Sequence, residues 1–124
     1  MFGEGRWAGV RKLSFDQYEF ERPDSEESLE LWIAARSQFP FPDLRSFVSG
    51  AATVQIAETL GPGVPFDTAL YASKAREYLL RFAGIVIPRP CDWQSYELLN
   101  DSLEWDAVFE ARELFIRFHW WSTA

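Results

Sequence analysis

Residues 110–123 read EARELFIRFHWWST, and this stretch decides the class of fold. Its side chains divide by parity into two sets, Leu114, Ile116, Phe118 and Trp120 in one and Phe115, Arg117, His119 and Trp121 in the other. Successive residues of a strand point to opposite faces of a sheet, and aromatic side chains favour strands, so the stretch predicts a C-terminal strand. The competing interpretation is a helix that begins at Asp106 and is built on Val108, Phe109, Arg112, Phe115 and Ile116.

The N-terminal part of the chain is predicted to hold a second strand and a first helix. Period-two alternation over residues 10–21 indicates a strand, and a change of phase at Asp16-Gln17 indicates a bulge or tight turn. Helical spacing of the apolar residues then indicates a helix over residues 25–38. Asp24 and Glu27 have the spacing of a capping box at its N-terminus.

Two further helices are predicted in the middle of the chain. Asp43 is placed to cap a helix over residues 44–60, in which a glycine weakens the centre. Asp67 or Thr68 is placed to cap the next helix, and Gly84 is a suitable C-terminal stop for it.

The linking segments complete the predicted fold. Residues 61–65 read GPGVP and form a loop, residues 85–87 form a short strand or buried extended segment, and residues 92–99 form a short helix. Residues 100–102 then form a turn. This order predicts an α+β fold in which a small, mostly antiparallel sheet of the N-terminal and C-terminal strands is packed by three to four helices in a single pair of layers. One domain over residues 1–124 is expected.

Composition excludes several classes of protein. The chain has 124 residues, of which 48% are hydrophobic, with 6 Trp, 11 Phe and 4 Tyr, and this is too aromatic for a disordered chain. A single Cys and a single His give no basis for a disulfide framework or a His-rich metal site. No segment has the apolar length of a signal peptide core or of a membrane span, which needs about 20 residues. We therefore expect a cytoplasmic protein without cofactor or metal.

The negative charge is concentrated in two segments. The formal net charge is −7, yet residues 16–30 and residues 92–113 each carry −6, so the remainder of the chain is basic. A general nucleic-acid binder needs a basic surface, so direct binding of nucleic acid is not expected. Two interpretations of the acidic segments remain, solvated helix faces or a patch complementary to a basic partner.

Catalytic chemistry has little support in the sequence. Cys91 and His119 are each unique and could form a thiolate dyad, but no known signature surrounds them. Gly3, Gly5 and Gly9 precede the first predicted strand. A dinucleotide-binding loop follows a strand and opens a helix, so these glycines do not predict one. No catalytic residue is therefore predicted.

These observations favour a small acidic inhibitor of the immunity or antitoxin type. It would occlude a basic protein partner, such as a toxin or a nuclease-like enzyme, by stoichiometric association. Because Trp120 and Trp121 are consecutive, they are predicted to point to opposite faces of the strand, and an exposed one would anchor the contact. The predicted partner-binding residues are Glu26, Glu27, Glu30, Glu104, Trp105, Asp106, Glu110, Trp120 and Trp121.

Two other functions remain open at this stage. A self-assembling structural or adaptor subunit, for example of a phage or secretion machine, would use exposed aromatic residues in a contact between copies, and a homodimer is compatible with either function. A small hydrolase is the third interpretation. No interaction with a membrane is expected.

Overall fold

A six-stranded antiparallel sheet organises the part of the chain that the computed structural model describes, residues 10–16, 19–20, 26–36 and 43–122. The strands are β1 Val10–Phe15, β2 Glu27–Ala35, β3 Val64–Pro65, β4 Gln94–Asp101, β5 Glu104–Glu110 and β6 Leu114–Ser122. The helices are α1 Leu44–Ala51, α2 Val54–Glu58 and α3 Ala72–Ala83, and a 3₁₀ turn covers Phe66–Thr68. The strand order is β1-β2-β6-β5-β4-β3, so the C-terminal strand β6 lies near the centre.

Helices pack against both faces of this sheet. On one face, Ile116 and Phe118 of β6 belong to the core that α3 covers with Tyr78 and Leu79. On the other face, the Phe115 ring stacks on Phe47 of α1 with 5.4 Å between ring centroids. We call these the α3 face and the α1 face. The predicted single pair of layers is therefore wrong, because the sheet is sandwiched between helices.

The coarse prediction of a mixed domain with an antiparallel sheet is confirmed, with more strands and fewer helices than expected. β1 and β6 are the strands predicted near the two ends of the chain. The alternative helix from Asp106 is wrong, because the residues from Glu104 to Glu110 form β5, which pairs with β6. Gln17, Tyr18 and Glu21, at the end of the first predicted strand, lie outside the described residues.

The helix predicted over residues 25–38 is strand β2. Leu29, Leu31 and Ile33 alternate along it and point into the α3-face core, with exposures of 0%, 0% and 8%. Trp32 lies on the α1 face, where it packs against the second core. Apolar residues on both parities imitate helical spacing, and this misled the prediction. Asp24 of the predicted capping box lies outside the described residues.

The helix predicted over residues 92–99 is also a strand, β4, and forms a hairpin with β5. A register shift between Glu97 and Leu99 interrupts its alternation, so its sequence lacked a clear strand period. The predicted turn after it is present at Ser102 and Leu103, where the Asp101 carboxylate accepts a hydrogen bond from the Leu103 backbone N–H at 2.9 Å. Residues 85–87 form no strand; of the alternative buried segment, Ile87 is buried and Ile85 packs against the α3-face core, whereas Val86 is 71% exposed.

The helix predicted over residues 44–60 is divided in two. Asp43 caps α1 as predicted, because its Oδ1 accepts a hydrogen bond from the backbone N–H of Ser46 at 2.8 Å. Thr53 breaks the run and caps α2, since its Oγ1 accepts from the Ile56 N–H at 3.1 Å. A second N-cap therefore lies where the prediction had the interior of one continuous helix.

The predicted cap of the third helix is wrong. Asp67 and Thr68 belong to the 3₁₀ turn that carries Phe66, which has no exposed surface, and α3 begins only at Ala72, without a side-chain cap. Gly84 ends the helix as predicted, with φ of +68° in the left-handed region where glycine is favoured. No helix among the described residues has the length and apolarity to span a membrane.

A buried ion pair joins α1 to the sheet. Arg117 of β6 donates from Nε and Nη2 to the two carboxylate oxygens of Asp106 on β5, at 2.9 and 2.6 Å. Its Nη1 donates to the backbone carbonyl of Ala51 at the end of α1, and its guanidinium lies 4.4 Å from the centre of the Trp32 ring. The arginine therefore satisfies both a buried carboxylate and an otherwise open helix carbonyl.

We predict that Arg117→Ala lowers the free energy of unfolding by about 3–5 kcal/mol, because it leaves the Asp106 carboxylate buried without its cation. The paired change Asp106→Leu with Arg117→Met should recover most of this loss, since no buried charge remains. Urea unfolding followed by tryptophan fluorescence measures both. Arg112→Ala in the exposed β5–β6 turn is the control. A loss below 1 kcal/mol in Arg117→Ala would contradict the role of the pair.

Candidate functional site

One end of the α1 face carries polar side chains instead of a helix-covered core. Glu30 of β2 is the direct register partner of His119 on β6, and Glu104 of β5 is the direct partner of Trp121 on β6. His119 and Trp121 are two residues apart on one strand, so all four side chains point to the same face. We call these four residues the His119 cluster.

The imidazole of His119 lies between two carboxylates from different strands. Its Nε2 is 2.5 Å from Oε2 of Glu104, and its Nδ1 is 3.9 Å from Oε1 of Glu30. The Trp121 ring lies beside it, with 4.7 Å between ring centroids. Glu30 also contacts a cation on the neighbouring strand, because its carboxylate is 3.6 Å from Nζ of Lys12 on β1. A row of four ionisable side chains, Lys12, Glu30, His119 and Glu104, thus crosses four strands.

The cluster reaches solvent, and its side chains project from paired strands. The solvent-exposed fractions of the side chains are 19% for His119, 27% for Glu30 and 35% for Glu104, and Trp121 is half-buried. Strand residues fixed by cross-strand pairing lose little freedom when a ligand binds. The cluster therefore has both access and preorganisation.

The adjoining β4–β5 turn extends this surface with apolar and acidic side chains. Leu99 and Leu103 are 42% and 46% exposed. Asp101 is the register partner of Glu104. The turn is tied to β6, because the Ser122 N–H donates to the Leu103 carbonyl at 2.9 Å. Together with the cluster, these residues form a mixed apolar and acidic surface.

Three of the residues predicted to bind a partner do not reach the surface. Trp105 has no exposed area and contacts the rings of Tyr71 and Phe118 in the α3-face core. Asp106 is 6% exposed and is paired with Arg117, as described above. Trp120 is 8% exposed. The prediction that Trp120 and Trp121 point to opposite faces is confirmed, and Trp121 is the more accessible one.

Glu27 lies on the α3 face, in a network that joins the sheet to α3. Its Oε1 accepts hydrogen bonds from the Tyr78 hydroxyl at 2.7 Å and from Nε1 of Trp120 at 2.8 Å. The Lys74 ammonium is 3.8 Å from the same oxygen and 4.1 Å from the centre of the Trp120 ring. These contacts hold the structure together and leave Glu27 on the opposite face from the His119 cluster.

The two remaining predicted residues lie apart from the cluster. Glu26 is exposed just before β2, with φ of +57°. Glu110 is at the other end of β5 from Glu104, about 20 Å away at 3.3 Å per residue. It accepts a hydrogen bond from the Tyr96 hydroxyl at 3.1 Å and lies 3.8 Å from the Arg36 guanidinium. The structure therefore brings together only three of the nine predicted residues, Glu30, Glu104 and Trp121.

Cys91 and His119 do not form a dyad. Cys91 packs against the α3-face core, whereas His119 lies on the α1 face. Burial raises the pKa of the Cys91 thiol, which opposes formation of the reactive thiolate. Within the described residues, no group of three or more His, Cys, Asp or Glu side chains is arranged to hold a metal ion.

A cleft of about 590 Å³ opens beside the β5–β6 turn. Among the described residues, its walls are Arg36, Asp92, Gln94, Glu110, Ala111 and Arg112. This lining contains no serine, cysteine or histidine, so it holds no Ser–His or Cys–His pair for nucleophilic catalysis.

The sequence analysis considered His119 only for a dyad with Cys91 and did not place it among the partner-binding residues, although a signal was present. His119 shares its parity with Trp121, and a strand places both on one face. What the sequence lacked was the register that sets Glu30 and Glu104 on either side of it. No known protein family, curated protein or solved structure matches this chain.

The hydrogen bond between Tyr78 and Glu27 on the α3 face can be tested through its effect on stability. Burial, together with the hydrogen bond to Glu27, raises the pKa of the Tyr78 phenol above its ordinary value. The folded state therefore favours the protonated phenol. Its contribution to the free energy of unfolding is complete below about pH 10 and is lost as the pH rises further.

We predict that Tyr78→Phe lowers stability by about 1–2 kcal/mol at pH 8, because Glu27 loses a hydrogen bond. The difference between wild type and variant should shrink steadily between about pH 10 and pH 11.5. Urea unfolding across this range measures it. A difference that is independent of pH would contradict the assignment.

Proposed function

We propose that the protein is a small binding protein that captures a basic protein by stoichiometric association, as an inhibitor of the immunity or antitoxin type. The observation that carries this proposal is the placement of Glu30, Glu104 and Trp121 on one accessible face of the sheet. Acidic groups beside an accessible tryptophan match what a cationic protein surface needs for recognition.

The acidic segments do not act as one surface. Asp106 is paired with Arg117, Glu27 contacts Lys74, and Glu110 contacts Arg36. Asp106 is also buried, Glu27 lies on the α3 face and Glu110 lies at the far end of β5, so these three carboxylates cannot share one contact with Glu30 and Glu104. The recognition surface is narrower, and consists of the His119 cluster and the neighbouring β4–β5 turn.

Trp121 is suited to anchor the contact. Tryptophan supplies a large contact area at a small cost in conformational entropy, and it is enriched among residues that dominate binding energy. Its ring also attracts cations, as the Lys12 ammonium over the Trp32 ring shows elsewhere on the same face, at 5.0 Å. A partner's arginine or lysine can stack on Trp121 and pair with Glu104 at the same time.

The mechanism is occlusion. Carboxylates on the face attract the cationic surface of the partner and speed the encounter. The partner's basic site, which would otherwise bind phosphates, is then covered. Inhibition by occlusion requires no chemical step.

A contact between copies of the chain is less favourable at the β4 edge. β3 pairs only with Gln94 and Ser95, so among the described residues the rest of β4 has a strand partner on its β5 side alone. This edge carries a register shift next to Glu97 and ends at Asp101. Bulges and like charges are features that hinder edge-to-edge pairing. The assembly subunit therefore remains the second candidate, and a hydrolase the third.

We predict that Glu30→Lys combined with Glu104→Lys abolishes capture of the partner, because two attractive charges become repulsive. Trp121→Ala should weaken capture at least about thirty-fold, the loss typical of a dominant contact residue. Glu77→Lys on the outer surface of α3 is the matched control and should bind as wild type does.

The measurement is co-purification from the native host with tagged wild type and each variant, quantified by mass spectrometry. The expected partner is a basic protein at one-to-one stoichiometry, present with wild type and Glu77→Lys and lost with the face variants. Its association with purified wild type should slow as salt rises. The proposal is wrong if every captured protein is retained equally by Glu30→Lys/Glu104→Lys, or if the chain captures only itself.

A further inference from the structure

We propose that His119 makes this face sensitive to pH, so that protonation of its imidazole weakens capture of a cationic ligand. The inference rests on the proposed function, because it concerns the same surface. It also makes a separate claim, namely that the affinity of the face is set by one side chain at its centre.

The position of His119 between the two carboxylates is the main observation. Nε2 is 2.5 Å from Glu104 and Nδ1 is 3.9 Å from Glu30, so both ring nitrogens face an acidic group. A protonated imidazole has two N–H donors, one toward each carboxylate. A neutral imidazole has one N–H donor and can serve only one of them in this way.

The other charged groups around His119 already have partners. From β5, Asp106 is its register partner but is held by two hydrogen bonds from Arg117, which lies next on the same face of β6. From β1, Lys12 contacts Glu30. Among the described residues, His119 is the only group shown within ion-pair distance of the Glu104 carboxylate.

A competition follows from this geometry. When His119 is charged, it occupies the Glu104 oxygen that a ligand cation would use, and it adds a positive charge at the centre of the face. When His119 is neutral, Glu30 and Glu104 keep their full negative charge, which only Lys12 offsets in part. A cationic ligand therefore binds the neutral form more tightly, and its binding releases a proton from the charged form.

The chain makes this claim unusually easy to test. It has one histidine, so a pH dependence that is lost when this residue is replaced can be assigned to His119. Removing this single ring removes the only imidazole of the whole protein.

The experiment titrates the purified protein with a hexa-arginine peptide at pH 5.5 and pH 7.5, at constant ionic strength. The Trp121 indole N–H signal in NMR spectra reports binding at the face, and calorimetry gives the affinity. Wild type should bind about five-fold more tightly at pH 7.5, the effect of one unit charge about 4 Å away in a water-like medium.

The decisive variant is His119→Gln, which is neutral at both pH values and keeps a hydrogen-bond donor for Glu104. Its affinity should differ less than two-fold between pH 5.5 and 7.5, whatever its absolute value. Amide spectra confirm that it is folded. Glu77→Gln, on the opposite side of the sheet, should keep the wild-type dependence on pH.

The outcomes separate the two proposals. Equal binding by wild type at both pH values, or an unchanged pH dependence in His119→Gln, overturns the role of His119 and leaves the acidic face as the binding surface. Absence of any peptide-induced shift of the Trp121 signal at either pH overturns both proposals, because the face then does not bind cations.

Discussion

The antiparallel pairing of β6 with β2 on one side and β5 on the other is the constraint on which the rest of the structure depends. Every residue of β6 is thereby assigned to a face, so that Ile116, Phe118 and Trp120 go to the core under α3. Arg117 and His119 go to the opposite face. The pairing that builds the larger core also places two features on the opposite face. One is the ion pair that joins α1 to the sheet, and the other is the His119 cluster.

The sequence predicted β1 and β6, whose two faces differ, and failed at β2 and β5, where both faces are apolar, and at β4, where a register shift interrupts the alternation. β1 could be identified because Leu13 and Phe15 face the core between exposed Lys12 and Ser14. β2 could not, because α1 makes its second face partly apolar as well, and five successive residues of β5, from Trp105 to Phe109, are all buried. Helices on both faces thus removed the alternation by which a strand is normally found in a sequence.

The candidate site was predictable to a similar degree. Composition indicated acidic and aromatic residues, and parity separated Trp120 from Trp121. Neither observation could distinguish Glu104 from Asp106, which lie two residues apart on the same face. Glu104 contacts His119, whereas Asp106 is neutralised by Arg117. That distinction depends on how far α1 extends over the sheet, which is a tertiary property. Segment charge therefore overstated the size of the acidic surface.

The single-residue alternation along β6 also has a consequence for how such a chain can evolve. A deletion or insertion of one codon between Leu114 and Trp121 shifts every following side chain to the other face. Core residues such as Phe118 would then take the place of His119, and charged groups would enter the core under α3. Substitutions on the α1 face can change what the protein recognises, whereas changes of length within β6 affect recognition and folding together. We expect divergence in this strand to proceed by replacement of alternate residues at constant length.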